Sequence, residues 1–401
     1  MKRYILILGL VSFIVSCKSP VKEDTQRPIK EVVERASSQI GWQVKLIDKT
    51  GKVLNPRTVY NGKIEYIPID DWTSGFFPGS LWYMYDLTKD KKWIDYGIKH
   101  TENLDSVKYL KWHHDIGFMI NCSYGNAYRI TQNPAYKEVM LEAARSLITR
   151  YRPAAGVLQS WDEDRGWQAT RGWMCPVIID NMMNLELLFE ATKLSGDSTF
   201  HKIAVHHADT TLKYHFRDDY STYHVIDYDK IKGGIRKKNT AQGYADESAW
   251  ARGQAWALYG FAICYRETRD QRYLDQCRNI YHFLFNHKNM PEDLIPYWDF
   301  DAPNIPHEPR DVSAASVIAS ALYELSTFDN SLEYKKTADK IIESLSGDTY
   351  LALVGTNGNF VLMHSVGSIP HNSEIDVPLN YADYYFLEAL TRKIELEKAH
   401  N

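Results

Sequence analysis

Two aspartates open helical patterns that follow long aromatic-rich stretches: Asp115 in His113-His114-Asp115-Ile116-Gly117-Phe118, and Asp180 in Pro176-Val177-Ile178-Ile179-Asp180-Asn181. An acid among apolar residues resists ionisation, so such a group can hold or pass a proton near neutral pH. Two of them point to carbohydrate chemistry. Asp at a helix start is also a common cap for free backbone N–H groups. A cap, however, needs neither His113 and His114 beside one acid nor Trp161, Trp167 and Trp173 on the stretch before the other.

The elements that must position these acids follow from a recurring turn. A short polar segment and an aromatic recur at Lys89 to Trp93, Asn133 to Tyr136, Gly196 to Phe200, Asp270 to Tyr273 and Asn330 to Tyr334. Each turn has apolar helical periodicity on both sides. The preceding helices are expected at Phe77 to Leu87, Asp115 to Ile130, Val177 to Leu194, Ser248 to Arg266 and Val312 to Leu325. Adding Ile29 to Ile40 and Tyr381 to Ile394 gives twelve helices, with strand-like alternation confined to short stretches such as Gln43 to Ile47. The simplest closed arrangement is all-α: six inner helices within six outer ones. The turn aromatics are separated by roughly 43 to 73 residues, too unevenly for a uniformly stacked solenoid. Connections within hairpins are short, whereas those between hairpins are long, at about 106–114, 152–175, 217–246, 288–310 and 347–380. Long loops carry function when shorter ones would close the fold. The site is therefore expected at that end, where Asp115, Asp180 and Ser248 stand at helix starts.

Aromatic residues make up 13% of the 401-residue chain, enough to line a helical core and still offer ring faces to sugars. The net charge of −4 gives no general attraction to nucleic acid, so an anionic ligand must be held locally.

Residues 1–17 read as a lipoprotein signal peptide: Met1-Lys2-Arg3, an apolar run from Tyr4 to Val15, and Ile14-Val15-Ser16-Cys17, which resembles a lipobox with Cys17 as the lipidated residue. Residues 18–28 are a polar tether, leaving 29–401 as a single catalytic domain. Contact with a membrane would come only through the lipid anchor. The expected location is the bacterial cell envelope, and the lack of an acidic export tag after Cys17 favours the periplasm over the cell surface. Cys122, Cys175, Cys264 and Cys277 lack the spacing of a disulfide scaffold and read as separate buried thiols, with a Cys122–Cys175 bridge as the alternative.

Four stretches together resemble glycoside hydrolase family 88, the unsaturated glucuronyl hydrolases. They are Asp71-Trp72-Thr73-Ser74-Gly75-Phe76-Phe77-Pro78-Gly79, His114-Asp115-Ile116-Gly117-Phe118, Ile178-Ile179-Asp180-Asn181-Met182-Met183-Asn184-Leu185, and Gln242 to Trp256, which contains Trp250-Ala251-Arg252-Gly253-Gln254. The likeness covers about residues 30 to 395. It implies an (α/α)6 barrel with its site at the long-loop end, no metal and no organic cofactor. The implied substrates are acidic oligosaccharides left by polysaccharide lyases, ending in a 4,5-unsaturated uronic acid, with sulfated disaccharides among the candidates. The implied reaction is hydration of a vinyl ether. The match makes Asp180 the general acid/base and Asp115 a substrate holder that, if ionised and close, would raise the Asp180 pKa.

The same likeness carries His114 and His224 over as substrate-contacting histidines, each otherwise a structural histidine. Gln242 and Arg252 fall near the uronate carboxylate; the plain alternative for Arg252 is an ion pair with Glu247. Trp72, Trp161 and Trp256 correspond to aromatics of the site wall, Trp256 being the one that a core role would also explain. Ser365 and Ser368 resemble the hydroxyls of members that accept sulfated disaccharides, although Pro370 stands where a basic residue is expected. The cationic run from Lys230 to Lys238 lies between His224 and Gln242, where it could steer an acidic glycan or simply be solvated. A metal site at His113-His114-Asp115 is not expected, because adjacent residues on a helix point apart. Two further readings remain: a conventional glycosidase or lyase on the same barrel, and a lipid-anchored glycan-binding protein without turnover. Oligomeric state is not legible.

Overall fold

Every residue of Val312–Leu325 is buried, so this helix has no face left for water. Ala251 to Cys264 is buried in the same way. By contrast, Tyr334–Ser346 buries Tyr334, Ala338, Ile341, Ile342 and Leu345, one stripe at helical spacing. Burial thus separates two kinds of helix, one enclosed all round and one amphipathic.

The computed structural model describes residues 27–399. In chain order its helices are α1 (Ile29–Asp48), α2 (Phe76–Thr88), α3 (Lys92–Glu102), α4, α5 (Pro134–Ile148), α6 (Asn181–Ser195), α7 (Ser198–Tyr214), α8 (Ala251–Thr268), α9 (Gln271–Asn286), α10 (Val312–Leu325), α11 (Tyr334–Ser346) and α12 (Asn380–Ala399). Helix α4 runs from Ile116–Ile120 through a π-helical turn at Asn121–Gly125 into Asn126–Thr131. The hairpin partners α2/α3, α6/α7, α8/α9 and α10/α11 pack together, and so do the alternate helices α4/α6, α6/α8, α8/α10, α10/α12 and α12/α2. One apolar cluster extends from Val32 to Leu390. The mostly helical reading is borne out.

Short turns between hairpin partners are closed by side-chain caps. Asn133 accepts from Ala135 N at 3.0 Å, Asp197 from Thr199 N at 2.8 Å and Asp270 from Arg272 N at 3.0 Å. Gly196 ends α6 at φ +77°, a left-handed position that suits glycine.

The long connections carry the strands, all in small antiparallel groups. β1 (Asn55–Tyr60) pairs with β2 (Lys63–Ile67), β3 (Tyr151–Arg152) with β4 (Val157–Leu158), and β8 (Ser365–Ser368) with β9 (Ser373–Val377). β5 (Pro176–Ile178), β6 (Val225–Tyr228) and β7 (Ile235–Asn239) form a three-stranded sheet. Val177 therefore does not start a helix, contrary to the expectation from sequence. The β-branched run Val177-Ile178 pairs with Val225 and Ile226 of β6, and the helix begins only at Asn181. Gln43 to Ile47 errs in the other direction: Ala36, Ile40, Val44 and Ile47 are buried at helical spacing, and α1 continues to Asp48.

Cys122, Cys175, Cys264 and Cys277 are free buried thiols. Cys17 and the signal peptide lie outside the described residues. Arg27, at the end of the expected tether, pairs with Glu31 and Asp348.

Candidate active site

Asp115 and Asp180 occupy the N-cap positions of α4 and α6, yet neither carboxyl accepts a capping hydrogen bond. The two helix starts are drawn together by close packing. A Cβ on Gly117 would lie 2.5 Å from Asn184 Oδ1 and 2.6 Å from Asn184 Cα, so only glycine lets α4 approach α6 here. Asn184 fills the contact, with Nδ2 donating to Asp115 Oδ1 at 3.0 Å and Oδ1 accepting from Phe118 N at 3.0 Å.

Both acids are buried, Asp180 with 8% and Asp115 with 6% of its surface exposed. Burial drives the Asp180 pKa up to about 7, against a downward pull from Arg252 and weaker ones from its own backbone and the Trp256 indole. Asp115 rises to about 8, again chiefly by burial; Asn184 opposes the shift, while the Asp180 charge adds to it. Asp180 is raised chiefly by its apolar surroundings, as the sequence led one to expect, and the proximity of the two carboxyls adds to the upward shift of Asp115. Asp180 Oδ2 is buried with no hydrogen-bond partner, an arrangement with a cost unless something is meant to arrive there.

Two histidines face the acids. His224 Nδ1 accepts from Ala241 N and Gln242 N, both at 3.1 Å, which puts its proton on Nε2, and Nε2 lies 3.7 Å from Asp180 Oδ2. His114 Nε2 lies 3.2 Å from Asp115 Oδ1 and, like Asp180 Oδ2, is buried with no hydrogen-bond partner. Burial holds both rings well below the usual histidine pKa, so they are neutral dipoles and leave the acids uncompensated.

Trp161 packs edge-on to His114 and His224, with centroids at 6.4 and 6.1 Å, and stacks on Trp173 at 5.7 Å. With Trp72, Trp167, Gln242, Ser368 and His371 it lines a cavity of about 250 Å³, the scale of a sugar ring. Neither this cavity nor a larger one of about 960 Å³ between the β1–β2 hairpin and β9 is lined by Asp115 or Asp180; the smaller one is tied to the acids through Trp161, which packs on His114 and His224. Trp256 is fully buried, and what it turns toward Asp180 is its indole N–H rather than a ring face.

Arg252 is buried and pairs with Asp311 at 2.9 Å, not with Glu247, which faces Arg217. Its guanidinium also donates to Val366 O and, at 2.6 Å, to Gly367 O. It therefore anchors β8, and its Nε remains without a partner. Gln242 Nε2 joins the same strand at Gly367 O, 3.2 Å away. Ser365 Oγ is buried and unpartnered, whereas Ser368 Oγ sits 2.6 Å from His371 Nδ1.

The family 88 model, described as Glycosyl Hydrolase Family 88, matches residues 46–396. The chain belongs to glycosyl hydrolase family 88. An unsaturated glucuronyl hydrolase of Formosa agariphila is 44% identical over 98% of each chain. An unsaturated chondroitin disaccharide hydrolase of Streptococcus agalactiae is 30% identical over 92% of each. Among solved structures, an unsaturated glucuronyl hydrolase specific for heparin superposes with a TM-score of 0.88 at 46% identity, covering 92% of this chain and 98% of that one.

Within this family 88 chain, His113, His114 and Asp115 bring ligand-type atoms within 4.8 Å of one another, so the expectation that their side chains diverge is corrected. They are nonetheless engaged: His113 Nδ1 accepts from Asp115 N at 3.1 Å, Asp115 Oδ1 accepts from Asn184, and burial keeps the Asp115 proton on. The cationic run is also largely occupied, Lys230 with Glu163, Arg236 with Asp227, and Lys238 over the Tyr223 ring. Sequence reasoning missed Asn184 and Asp311 as site builders. Asn184 stood inside a quoted motif without a role, and Asp311 carries only an ordinary helix-start signal before Ser313.

Proposed function

We propose that this family 88 glycoside hydrolase is an unsaturated glucuronyl hydrolase. It hydrates the C4=C5 bond of a 4,5-unsaturated uronic acid at the non-reducing end of lyase-generated oligosaccharides, of glycosaminoglycan type, and releases the uronic acid. The observation that carries the reading is a carboxyl raised to about pH 7 with one oxygen buried and unpartnered, beside a cavity with tryptophan walls.

The chemistry follows from that proton. Asp180 delivers it to C4, the electron-rich carbon of the enol ether, and positive charge develops at C5, shared with the ring oxygen. Asp180, now ionised, takes a proton from the water that adds at C5. The resulting hemiketal opens, and the leaving sugar departs without attack at the anomeric carbon. His224 Nε2–H faces the carboxyl and steadies the ionised form as it appears. Asp115 and His114 form a neutral hydrogen-bonding pair for ring hydroxyls, and Arg252 supplies a fixed positive charge near the uronate. A displacing glycosidase would need one ionised carboxylate as nucleophile or base. Here both carboxyls are pushed toward the protonated form, which favours hydration.

We also infer that the twelve helices make an (α/α)6 ring. Its support is the succession of packed neighbours α2, α4, α6, α8, α10 and α12, with α12 returning to α2, and the absence of any water-facing side on α10. Residues 29–401 form its single catalytic domain. The lipobox at Cys17 supports an envelope-bound, periplasmic enzyme, and a Cys17→Ser chain is expected to leave the membrane fraction.

The test is an incubation with unsaturated disaccharides from chondroitin, heparin and hyaluronan. Loss of the enol-ether absorbance on at least one of them is the expected result. A gain of absorbance on intact polysaccharide would indicate a lyase, and no change on any of them would reject the reading.

A further inference from the structure

Arg150 lies just beyond α5, away from the acids in sequence, and is only 3% exposed. Its fork reaches into two separate long loops. Nε donates to Gln159 O at 2.8 Å, and Nη2 to Ser160 O at 3.1 Å and Asp162 Oδ1 at 3.0 Å, while Nη1 donates to Lys111 O at 3.2 Å. Burying a guanidinium among backbone carbonyls with a single carboxylate is unfavourable, and turns or water could have satisfied the same carbonyls.

The acceptors explain the arrangement. Lys111 stands three residues before His114, and Gln159, Ser160 and Asp162 bracket Trp161. Ser160 is itself bound to β5, receiving Ile178 N on its Oγ at 3.0 Å and donating its N–H to Pro176 O at 2.9 Å, a short distance ahead of Asp180. One guanidinium therefore ties together the approaches to Asp115, to the Trp161 wall and to Asp180. Lysine could not replace it, because a single ammonium on a flexible stem cannot serve divergent acceptors as a planar fork does.

We propose that Arg150 is a positioning residue for the sugar ring: by bracing the Lys111 loop against the Gln159–Asp162 segment, it sets the gap between Trp161 and the His114–Asp115 pair. The inference rests on the proposed hydrolase reading of the same site. It assigns Arg150 to holding the sugar rather than to proton transfer, since it touches neither acid's proton-bearing oxygen.

The test uses Arg150→Lys and Asp162→Asn, the second of which leaves all three backbone acceptors in place. In the active enzyme, KM for an unsaturated disaccharide is expected to rise roughly tenfold in Arg150→Lys while kcat stays within about threefold. The Asp162→Asn shift should be smaller and in the same direction. In an Asp180→Asn background, calorimetric Kd should weaken in parallel with KM. A folded Arg150→Lys protein with unchanged KM and Kd would overturn the proposal, as would a joint fall of kcat and melting temperature at constant KM. Should Arg150→Lys fail to fold, an Asp162→Asn enzyme with unaltered KM and Kd would overturn it as well. If the unmodified enzyme neither binds nor consumes the disaccharides, it is the hydrolase reading that fails, so the two failures are separable.

Discussion

Aspartate stands before helices at both ends of this molecule, and although Asp311 at the long-loop end caps Ser313 N in the ordinary way, two others there depart from the aspartates of the short turns. At the short-turn end, Asp197 and Asp270 accept backbone N–H bonds at the starts of α7 and α9, and these bonds, with Arg272 beside Asp270, pull their pKa values down. At the long-loop end, Asp115 and Asp180 hold the equivalent position on α4 and α6, cap nothing, and are raised by burial to about 8 and about 7. Residue type and helix position are the same. Solvent and partners decide which aspartate is a fastener and which keeps a proton.

Other buried acids sharpen the contrast. Glu324 is as enclosed as Asp180, but Arg266 and Arg392 reach it at 2.9 and 2.7 Å, and its pKa is lowered despite the burial. Glu388 accepts from Tyr83, Tyr259 and Ser320. There burial is matched by partners and links helices α2, α8, α10 and α12. At Asp180 a neutral histidine nitrogen stands 3.7 Å from Oδ2, and that oxygen has no hydrogen-bond partner.

This comparison can be broken at either end. The largest effect is expected at the mouth: Asp180→Asn should fold normally and lose roughly 10²-fold to 10⁴-fold in kcat, the usual worth of a general acid, measured by the decay of enol-ether absorbance. Near-normal turnover would remove Asp180 from the mechanism. Next is Glu324→Gln, which removes one carboxylate from two half-buried arginines that keep Glu186, Glu267 and Glu388 beside them and should cost about 2 kcal/mol of stability in urea unfolding, with kcat within about twofold. A large loss of rate without loss of stability would show that the two ends are not separate in function. The smallest is Asp270→Ala, a lost cap worth about 1 kcal/mol, again with unaltered kcat. If thermal unfolding shows no change, the capping account of the short-turn end is wrong.

The same contrast marks what the sequence could convey. The helix hairpins were legible because a recurring polar turn with an aromatic, flanked by apolar helical periodicity, needs no tertiary information. Asp180 and Asp115 were legible as acids within motifs. Their freedom from capping was not, because a cap and a catalyst have the same local signature. Val177 and Ile178 read as helix because the partner strand that claims them, Val225 to Tyr228, lies almost fifty residues away. Arg150, Asn184 and Asp311 left no distinct signal, since a brace is defined by its hydrogen-bond partners, and those partners are backbone groups or side chains on distant elements. The metal question turned on geometry too. Spacing suggested divergence at His113 to Asp115, whereas a bent loop before α4 brings the groups together.

The central claim is that Asp180 keeps its proton near neutral pH. Its sign in stability is fixed by the same shift: an unfolded aspartate ionises near pH 3.9 and the native one at about 7, so this group's favourable contribution is present below about pH 4 and is lost as pH rises toward 7. The most direct measurement is the infrared difference spectrum between the wild type and Asp180→Asn across pH. A protonated-carboxyl C=O band that persists at pH 6 and fades as pH passes through about 7 is the expected result. A carboxylate signature already complete at pH 5 would contradict it.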